Sequence, residues 1–349
     1  MRHLLKPLLV AAAFCATTAA AAAASHGSLL VVTKQSRSVA IVDGTTLKVT
    51  AHVPVGENPH EVIVGPDNKT AYVSNFLEGT GHTIAVVDLV HARALPHIPV
   101  APLVGPHGMA VHDGILWFTA DRSQALGELD LRTHKIVGVL GTGQMRTHML
   151  WISRDGKKIV ASNAGSGTMS VYDSIIISPT MAPGAPPPPA SYTSPGWKPT
   201  LIPVGQAAEG FAVSPDEKEV WVGNNEGTIS IIDLATEKVS ATIDPGTKGA
   251  NRLTFTPDGK LVFVTMRAGK NLAAIDAHTR QVVKLIPIEQ RGASGVQMQP
   301  DGSRVFVACP RDHYVAVVDV KTLTMTDKID AGPEPDGLAW WEPTRASGE

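Results

Sequence analysis

The chain has 349 residues, 43% of them hydrophobic and 18% charged, with a formal net charge of −2. Both signs are interspersed, so there is no electrostatic footprint for nucleic acid or an anionic membrane surface. Two cysteines, Cys15 and Cys309, exclude a disulfide scaffold; stability has to come from an apolar core, for which the length is ample.

The N-terminus reads as a targeting segment. Arg2, His3 and Lys6 make a positive start, residues 8–24 are apolar or small, and Ala22-Ala23-Ala24 precedes Ser25 as a small-x-small cleavage pattern. Residues 1–24 are therefore expected to be a signal peptide and 25–349 a mature periplasmic or secreted protein. Cys15 is a poor lipidation site, because Phe14 precedes it where a small residue is needed. No later stretch is long and apolar enough to span a bilayer.

Past the leader one pattern repeats. The segments Pro59-His60-Glu61-Val62, Pro106-His107-Gly108-Met109, Thr147-His148-Met149-Leu150, Ala208-Glu209-Gly210-Phe211, Ala250-Asn251-Arg252-Leu253, Ala293-Ser294-Gly295-Val296 and Pro335-Asp336-Gly337-Leu338 each begin a short apolar strand. Their spacing is about 47, 41, 61, 42, 43 and 42 residues, in the range of repeats that build one propeller blade each. A tight turn follows the strand, as in Pro66-Asp67-Asn68, His112-Asp113-Gly114 and Pro257-Asp258-Gly259. Next comes a β-rich run such as Ala71-Tyr72-Val73-Ser74-Asn75 or Leu261-Val262-Phe263-Val264. A third strand ends in aspartate (Asp43, Asp88, Asp130, Asp173, Asp233, Asp276, Asp319), often with Thr three residues on, and a fourth, outer strand closes the unit. That threonine spacing suits side-chain-to-backbone turn bonding.

Seven such units predict an all-β fold: a single seven-bladed β-propeller of four-stranded antiparallel blades over residues 25–349. The first unit has only three strands, near 29–34, 39–43 and 48–53, and the C-terminus supplies a lone strand at 337–341. Pairing the N-terminal strands with that C-terminal one closes the ring and removes a free edge. One insertion breaks the period: residues 181–199 hold seven prolines and read as a polyproline surface loop, or as a docking site for a protein partner.

The wording of the repeat resembles the YVTN-type seven-bladed propeller family. The residues that carry the likeness are Pro59-His60-Glu61-Val62, Ala71-Tyr72-Val73-Ser74-Asn75, Thr83-Ile84-Ala85-Val86-Val87-Asp88, Pro257-Asp258-Gly259-Lys260 and Val315-Ala316-Val317-Val318-Asp319. The likeness spans nearly all of the mature chain. It implies an exported propeller related to the propeller domains of nitrite and nitrous oxide reductases; lactonases and lyases of similar shape are also known. The absence of Cys-x-x-Cys-His excludes covalent c-type haem. A shared fold does not carry a shared reaction.

Function has to be argued from the ring that the seven leading residues would form: Asp336, His60, His107, His148, Glu209, Asn251 and Ser294. His60, His107, His148 and Glu209 suit one divalent transition metal with open coordination positions. Asp336 would be a second carboxylate or an orienting partner. The same residues also suit a passive polar lining. Glu61, next to His60, is expected on the other face of its strand and ranks lower. Arg146, Arg252 and Arg291 flank the ring, and loops on that face add Lys34, Arg37, His82, Arg122, Arg267, Lys270, Arg311, Asp312 and His313. With Asp336, Arg146 and Arg252 are the candidate contacts for a small anionic ligand. Cys309 reads as a packed thiol.

Two functions fit these observations. One is an exported binding or scaffold propeller that holds a small anion or a metal ion at the channel mouth. The other is an enzyme at the same mouth, a metal-dependent or acid–base hydrolase, lactonase, lyase or oxidoreductase, with the histidines as ligands or proton carriers and Glu209 as base or ligand. No Gly-x-Ser-x-Gly, His-Glu-x-x-His or phosphate loop favours the enzyme.

Overall fold

Seven four-stranded antiparallel sheets make up the structure, a computed structural model that describes residues 27–343 except 182, 188, 189, 247, 289 and 290. The expected leader and Cys15 lie outside the described residues. In six blades the strands run in chain order from the axis outwards. Their innermost strands are Pro59–Val64, Pro106–His112, Thr147–Ile152, Phe211–Val213, Ala250–Phe255 and Val296–Met298 for blades 2 to 7. Blade 1 takes its innermost strand, Pro335–Trp341, from the C-terminus and the other three, Ser28–Thr33, Ser38–Asp43 and Val49–Pro54, from the N-terminus. The closing register aligns Ser28 with Trp341, Leu30 with Ala339 and Val31 with Leu338.

Burial follows position within the blade. Second and third strands are buried on both faces, which is why they read as unbroken Val, Ile, Ala and aromatic runs. Outer strands alternate, as in Lys135–Gly141, where every second side chain meets solvent. The apolar core is not central. It is split into seven clusters, one at each contact between neighbouring blades. The cluster joining blade 7 to blade 1 sets Phe306 and Val317 against Leu29, Val42 and Leu338, so the ring is sealed by side chains as well as by the shared sheet.

The strand-ending aspartates act as turn caps. Asp233 Oδ1 accepts the Thr236 backbone N–H at 2.7 Å, and Asp276 and Asp319 do the same for Thr279 and Thr322. Blade 4 departs from the expectation. Its third strand does not stop at Asp173 but runs Thr168–Ile177, and the fourth runs Ser194–Pro203. The proline-rich insertion is thus partly a β-ribbon: 194–199 pair in register with 172–177, and among the described residues only those between the two strands stay out of the ladder. Proline is tolerated there because this outer strand leaves one edge unpaired. Trp197, inside the segment expected to be a loop, stacks edge-on against Trp117 of blade 3 with ring centroids 5.9 Å apart.

Two devices hold the leading residues of the inner strands in place. First, the pairing of inner and second strands is interrupted by a register shift at Pro59/Val62, Pro106/Met109, Thr147/Leu150 and Ala250/Leu253. The amide freed by that shift is taken up by a hydroxyl on the second strand. Thr119 Oγ1 accepts from Gly108 N at 2.9 Å and donates to the His148 carbonyl of the next blade at 2.8 Å. Ser162 does the same between Met149 N and the Glu209 carbonyl, and Thr265 between Arg252 N and the Ser294 carbonyl. Second, glycine lets neighbouring inner strands touch. A Cβ on Gly337 would lie 2.2 Å from His60 O, and one on Gly210 would lie 2.2 Å from Asn251 O.

Candidate functional site at the channel mouth

The seven leading residues do converge on one mouth. A cavity of about 170 Å³ there is bordered by Asp336, His60, His107, His148, Glu209, Asn251 and Ser294, together with Lys34, Phe76, Arg146, Arg252, Arg267 and Arg311. Going round the ring, His60 Nδ1 lies 3.1 Å from His107 Nε2. His107 and His148 stack at 3.8 Å between ring centroids. Phe76 closes the outer side of the pair, 4.8 Å from the His60 ring and 5.2 Å from that of His107.

The hydrogen bonds fix the tautomers of two rings. Asn58 Oδ1 accepts from the Glu78 backbone N–H at 3.3 Å and lies 2.9 Å from His60 Nε2. An amide oxygen only accepts, so His60 Nε2 carries the hydrogen. Burial drives the His60 pKa down to about 4, against the opposing pull of Asp336, so the ring is neutral and its Nδ1 is a bare lone pair. His107 Nε2–H donates to it, and Nδ1 of His107 is left as a lone pair in turn. Burial also holds His107 and His148 below the ordinary histidine range.

The carboxylates divide into three settings. Asp336 is buried; Lys34 Nζ is 3.2 Å away, Ser294 Oγ donates to it and His60 Nδ1 lies at 3.5 Å. Burial alone would raise its pKa, but Lys34, His60 and Ser294 outweigh that and bring it to about 2. Glu209 is likewise lowered to about 2, because His148 and the guanidiniums of Arg267, Arg252 and Arg146 outweigh its burial. Arg267 donates to it at 2.5 Å, Asn251 at 3.0 Å and Arg146 at 3.2 Å. Glu61 behaves in the opposite sense: burial pushes its carboxyl up, to about 7, in spite of Arg252 at 2.5 Å.

Glu61 points where strict strand alternation does not send it. Strict alternation sends its side chain away from the channel. The register shift at Pro59/Val62 breaks that alternation, so both His60 and Glu61 face inwards, and Glu61 pairs with Arg252 of blade 6 across the ring. Asp121 was also missed. It sits on a short 3₁₀ turn, 2% exposed, with Oδ2 3.5 Å from His148 Nδ1 and 3.8 Å from Arg146 Nε. Nothing local marks it, since its partners come from the next blade.

Of the predicted contacts, Arg146 and Arg252 reach the mouth, as do Lys34, Arg267 and Arg311. Arg291 does not border it; its Nε is 2.8 Å from Asp312. Arg37 is tied to Glu57 at 2.8 Å on the surface, and His313 Nδ1 accepts from Glu334 N. Cys309 is fully buried, and burial pushes its thiol up to about 12. Among the described residues no group of three or more His, Cys, Asp or Glu converges as a ligand set. Two of the three imidazoles spend a nitrogen on each other, so a shared ion would require one ring to turn.

Comparison with known proteins agrees with the architecture. No family model matches the chain. A seven-bladed β-propeller protein of Mycobacterium tuberculosis is 30% identical over 140 residues, 38% of this chain and 34% of that protein. The chain thus matches about a third of the length of its curated relative. Among solved structures, a protein of unknown function from Desulfotomaculum acetoxidans superposes with a TM-score of 0.73 at 11% identity, covering 91% of this chain and 100% of that one. A candidate 6-phosphogluconolactonase from Bacteroides uniformis gives 0.69 at 14%, over 91% and 100%. Hydrazine synthase of Kuenenia stuttgartiensis gives 0.64 at 17%, over 85% and 92%. The chain is a seven-bladed β-propeller. At these identities the structural likeness speaks to the fold alone. Among the described residues no helix is long and apolar enough to cross a membrane.

Proposed function

We propose that this protein is an exported propeller of the YVTN type that binds a small anion at the mouth of its central channel. The observation that carries the reading is the charge of the cavity wall. Five cations, Lys34, Arg146, Arg252, Arg267 and Arg311, border it against two carboxylates, Glu209 and Asp336. Burial keeps the three imidazoles below the ordinary histidine range, so the positive charge of the wall comes from the lysine and the arginines. Such a cavity concentrates anions and offers guanidinium forks for carboxylate or phosphate. A non-catalytic binding or scaffold role fits the absence of a complete catalytic motif. The likeness to candidate 6-phosphogluconolactonases supplies a first ligand panel of sugar acids, sugar lactones and their phosphates.

The test is thermal unfolding and calorimetry of the mature protein with that panel. Binding is expected to raise the unfolding midpoint, to weaken with salt, and to fall about tenfold in Arg267→Ala, which removes one exposed guanidinium. No shift with any anion would remove the reading. The metal alternative uses the same cluster and is examined in the same preparation. Elemental analysis of protein from its native compartment, beside His107→Ala, decides it: a transition metal that drops in the variant supports a metal role for His60, His107, His148 and Glu209.

A further inference from the structure

We propose that the ligand of this mouth is a small 2-hydroxycarboxylate, and that Glu61 occupies the place of its carboxylate when the ligand is absent. This rests on the anion-binding reading and adds the ligand's chemical class.

Four of the buried polar atoms without a hydrogen-bond partner among the described residues cluster here: His107 Nδ1, His148 Nδ1, Asp121 Oδ2 and Arg252 Nη1. Two of them answer each other. His148 Nδ1 and Asp121 Oδ2 face across 3.5 Å, which a slight rotation turns into a hydrogen bond. The other two have no such counterpart, and they are opposite in kind. His107 Nδ1 is a lone pair, because its Nε2–H is committed to His60. Arg252 Nη1 is a donor by necessity. A buried polar atom left unpaired keeps the full cost of its lost hydration, so both atoms favour whatever can satisfy them.

Glu61 lies between the two. Its Oε1 is 2.5 Å from Arg252 Nη2 and 3.9 Å from His107 Nδ1. The protein itself thus presents a carboxylate to Arg252, the arrangement a bound carboxylate would adopt. At 3.9 Å, however, Glu61 Oε1 is out of hydrogen-bond reach of His107 Nδ1 whatever its protonation state, and it engages only Nη2 of the two terminal guanidinium nitrogens. A 2-hydroxycarboxylate has what is missing: a second oxygen for Nη1 and a hydroxyl hydrogen for Nδ1. With a ligand oxygen at the position of Oε1, the hydroxyl on the adjacent carbon falls in the 3.9 Å gap to His107 Nδ1 that Glu61 leaves unbridged. Arg252 and His107 both border the cavity, whereas Glu61 is not among its lining residues. Its volume of about 170 Å³ is well above what a single water needs and leaves room for a small acid such as lactate or a short sugar acid. Displacement of Glu61 from Arg252 is the step that binding requires, so the same contact that shows the ligand's class also weakens its binding.

The experiment is calorimetric titration of the mature protein at one neutral pH with lactate, propionate and sulfate. Lactate is expected to bind at least about tenfold more tightly than propionate, which differs only by the hydroxyl, and more tightly than sulfate. In Glu61→Ala, lactate affinity is expected to rise about tenfold. In His107→Phe, lactate should lose its advantage while propionate is unchanged. Equal affinity for lactate and propionate, a preference for sulfate, or weaker lactate binding in Glu61→Ala would each overturn the hydroxycarboxylate assignment while leaving the anion site standing. Failure of all three anions would overturn the hydroxycarboxylate assignment, and failure of the sugar acids and their phosphates as well would remove the anion site. If Glu61→Ala does not fold, the lactate and propionate comparison in the unaltered protein decides.

Discussion

At the scale of single residues, the second-strand hydroxyls do more than their exposure-blind reading as strand formers suggests. Thr119 satisfies a backbone donor in its own blade and a backbone acceptor in the next, at 2.9 and 2.8 Å. Thr119→Val keeps the shape and removes both bonds, leaving Gly108 N and His148 O buried and unpaired. Two such losses cost about 2–6 kcal/mol together. The expected outcome is a lower denaturant midpoint with unchanged slope, restored most of the way by Thr119→Ser. Equal stability of the Val variant would mean the ring residues are held by packing alone. The asparagine beside these hydroxyls has a comparable role. Asn163 Nδ2 donates to Thr168 and Ser170, and Asn224 Nδ2 to Thr228 and Ser230, pinning the loop that leads to the mouth.

At the scale of elements, the strands and turns were legible because each repeats a local rule: proline or aspartate where the chain turns, β-branched runs where both faces are buried, aspartate with threonine where the third strand ends. The period alone located six inner strands and the split first blade. What failed were arguments that assume a regular ladder. Glu61 was placed on the wrong side because alternation does not survive a register shift, and Asp173 was read as a terminus because a ribbon extension has the same composition as a loop. The insertion now divides into two parts with different expected effects. Replacing residues 178–193 by a two-residue turn should leave the unfolding midpoint nearly unchanged, since the described residues of this stretch lie outside the ladder. Removing 181–199 should lower it clearly, because Trp197 and its contact with Trp117 go with it. Thermal unfolding of both variants checks this; an equal, small effect would mean that Trp197 contributes nothing.

At the scale of the whole molecule, stability is distributed round a ring, and the ring depends on its closing strand. Pro335–Trp341 contributes Leu338, Ala339 and Trp341 to the clusters on both sides of blade 1, and Trp341 Nε1 bonds Asn68 O in blade 2 at 3.0 Å. A chain ending at Pro333 would expose the edge of Ser28–Thr33 and two apolar faces. It is expected to lose its cooperative unfolding transition and to aggregate, measured by circular dichroism and size exclusion. A monomer with a sharp transition would mean that six and three-quarter blades suffice. The same truncation removes Asp336 from the mouth, so the site and the ring stand or fall together.

The blade, the number of blades, the way the ring closes and the residues gathered at the mouth can all be read from the order of the amino acids. All of these follow from short-range patterns repeated at a constant spacing. Which of those residues meet depends on the folded ring. Glu61 and Arg252 are 191 residues apart and Arg146 and Glu209 are 63 apart. Their pairing is set by how far each blade turns about the axis and by where a ladder slips. The protonation states follow from the same cause: burial and neighbouring charge, not residue type, keep three imidazoles neutral and hold one carboxyl high and two low.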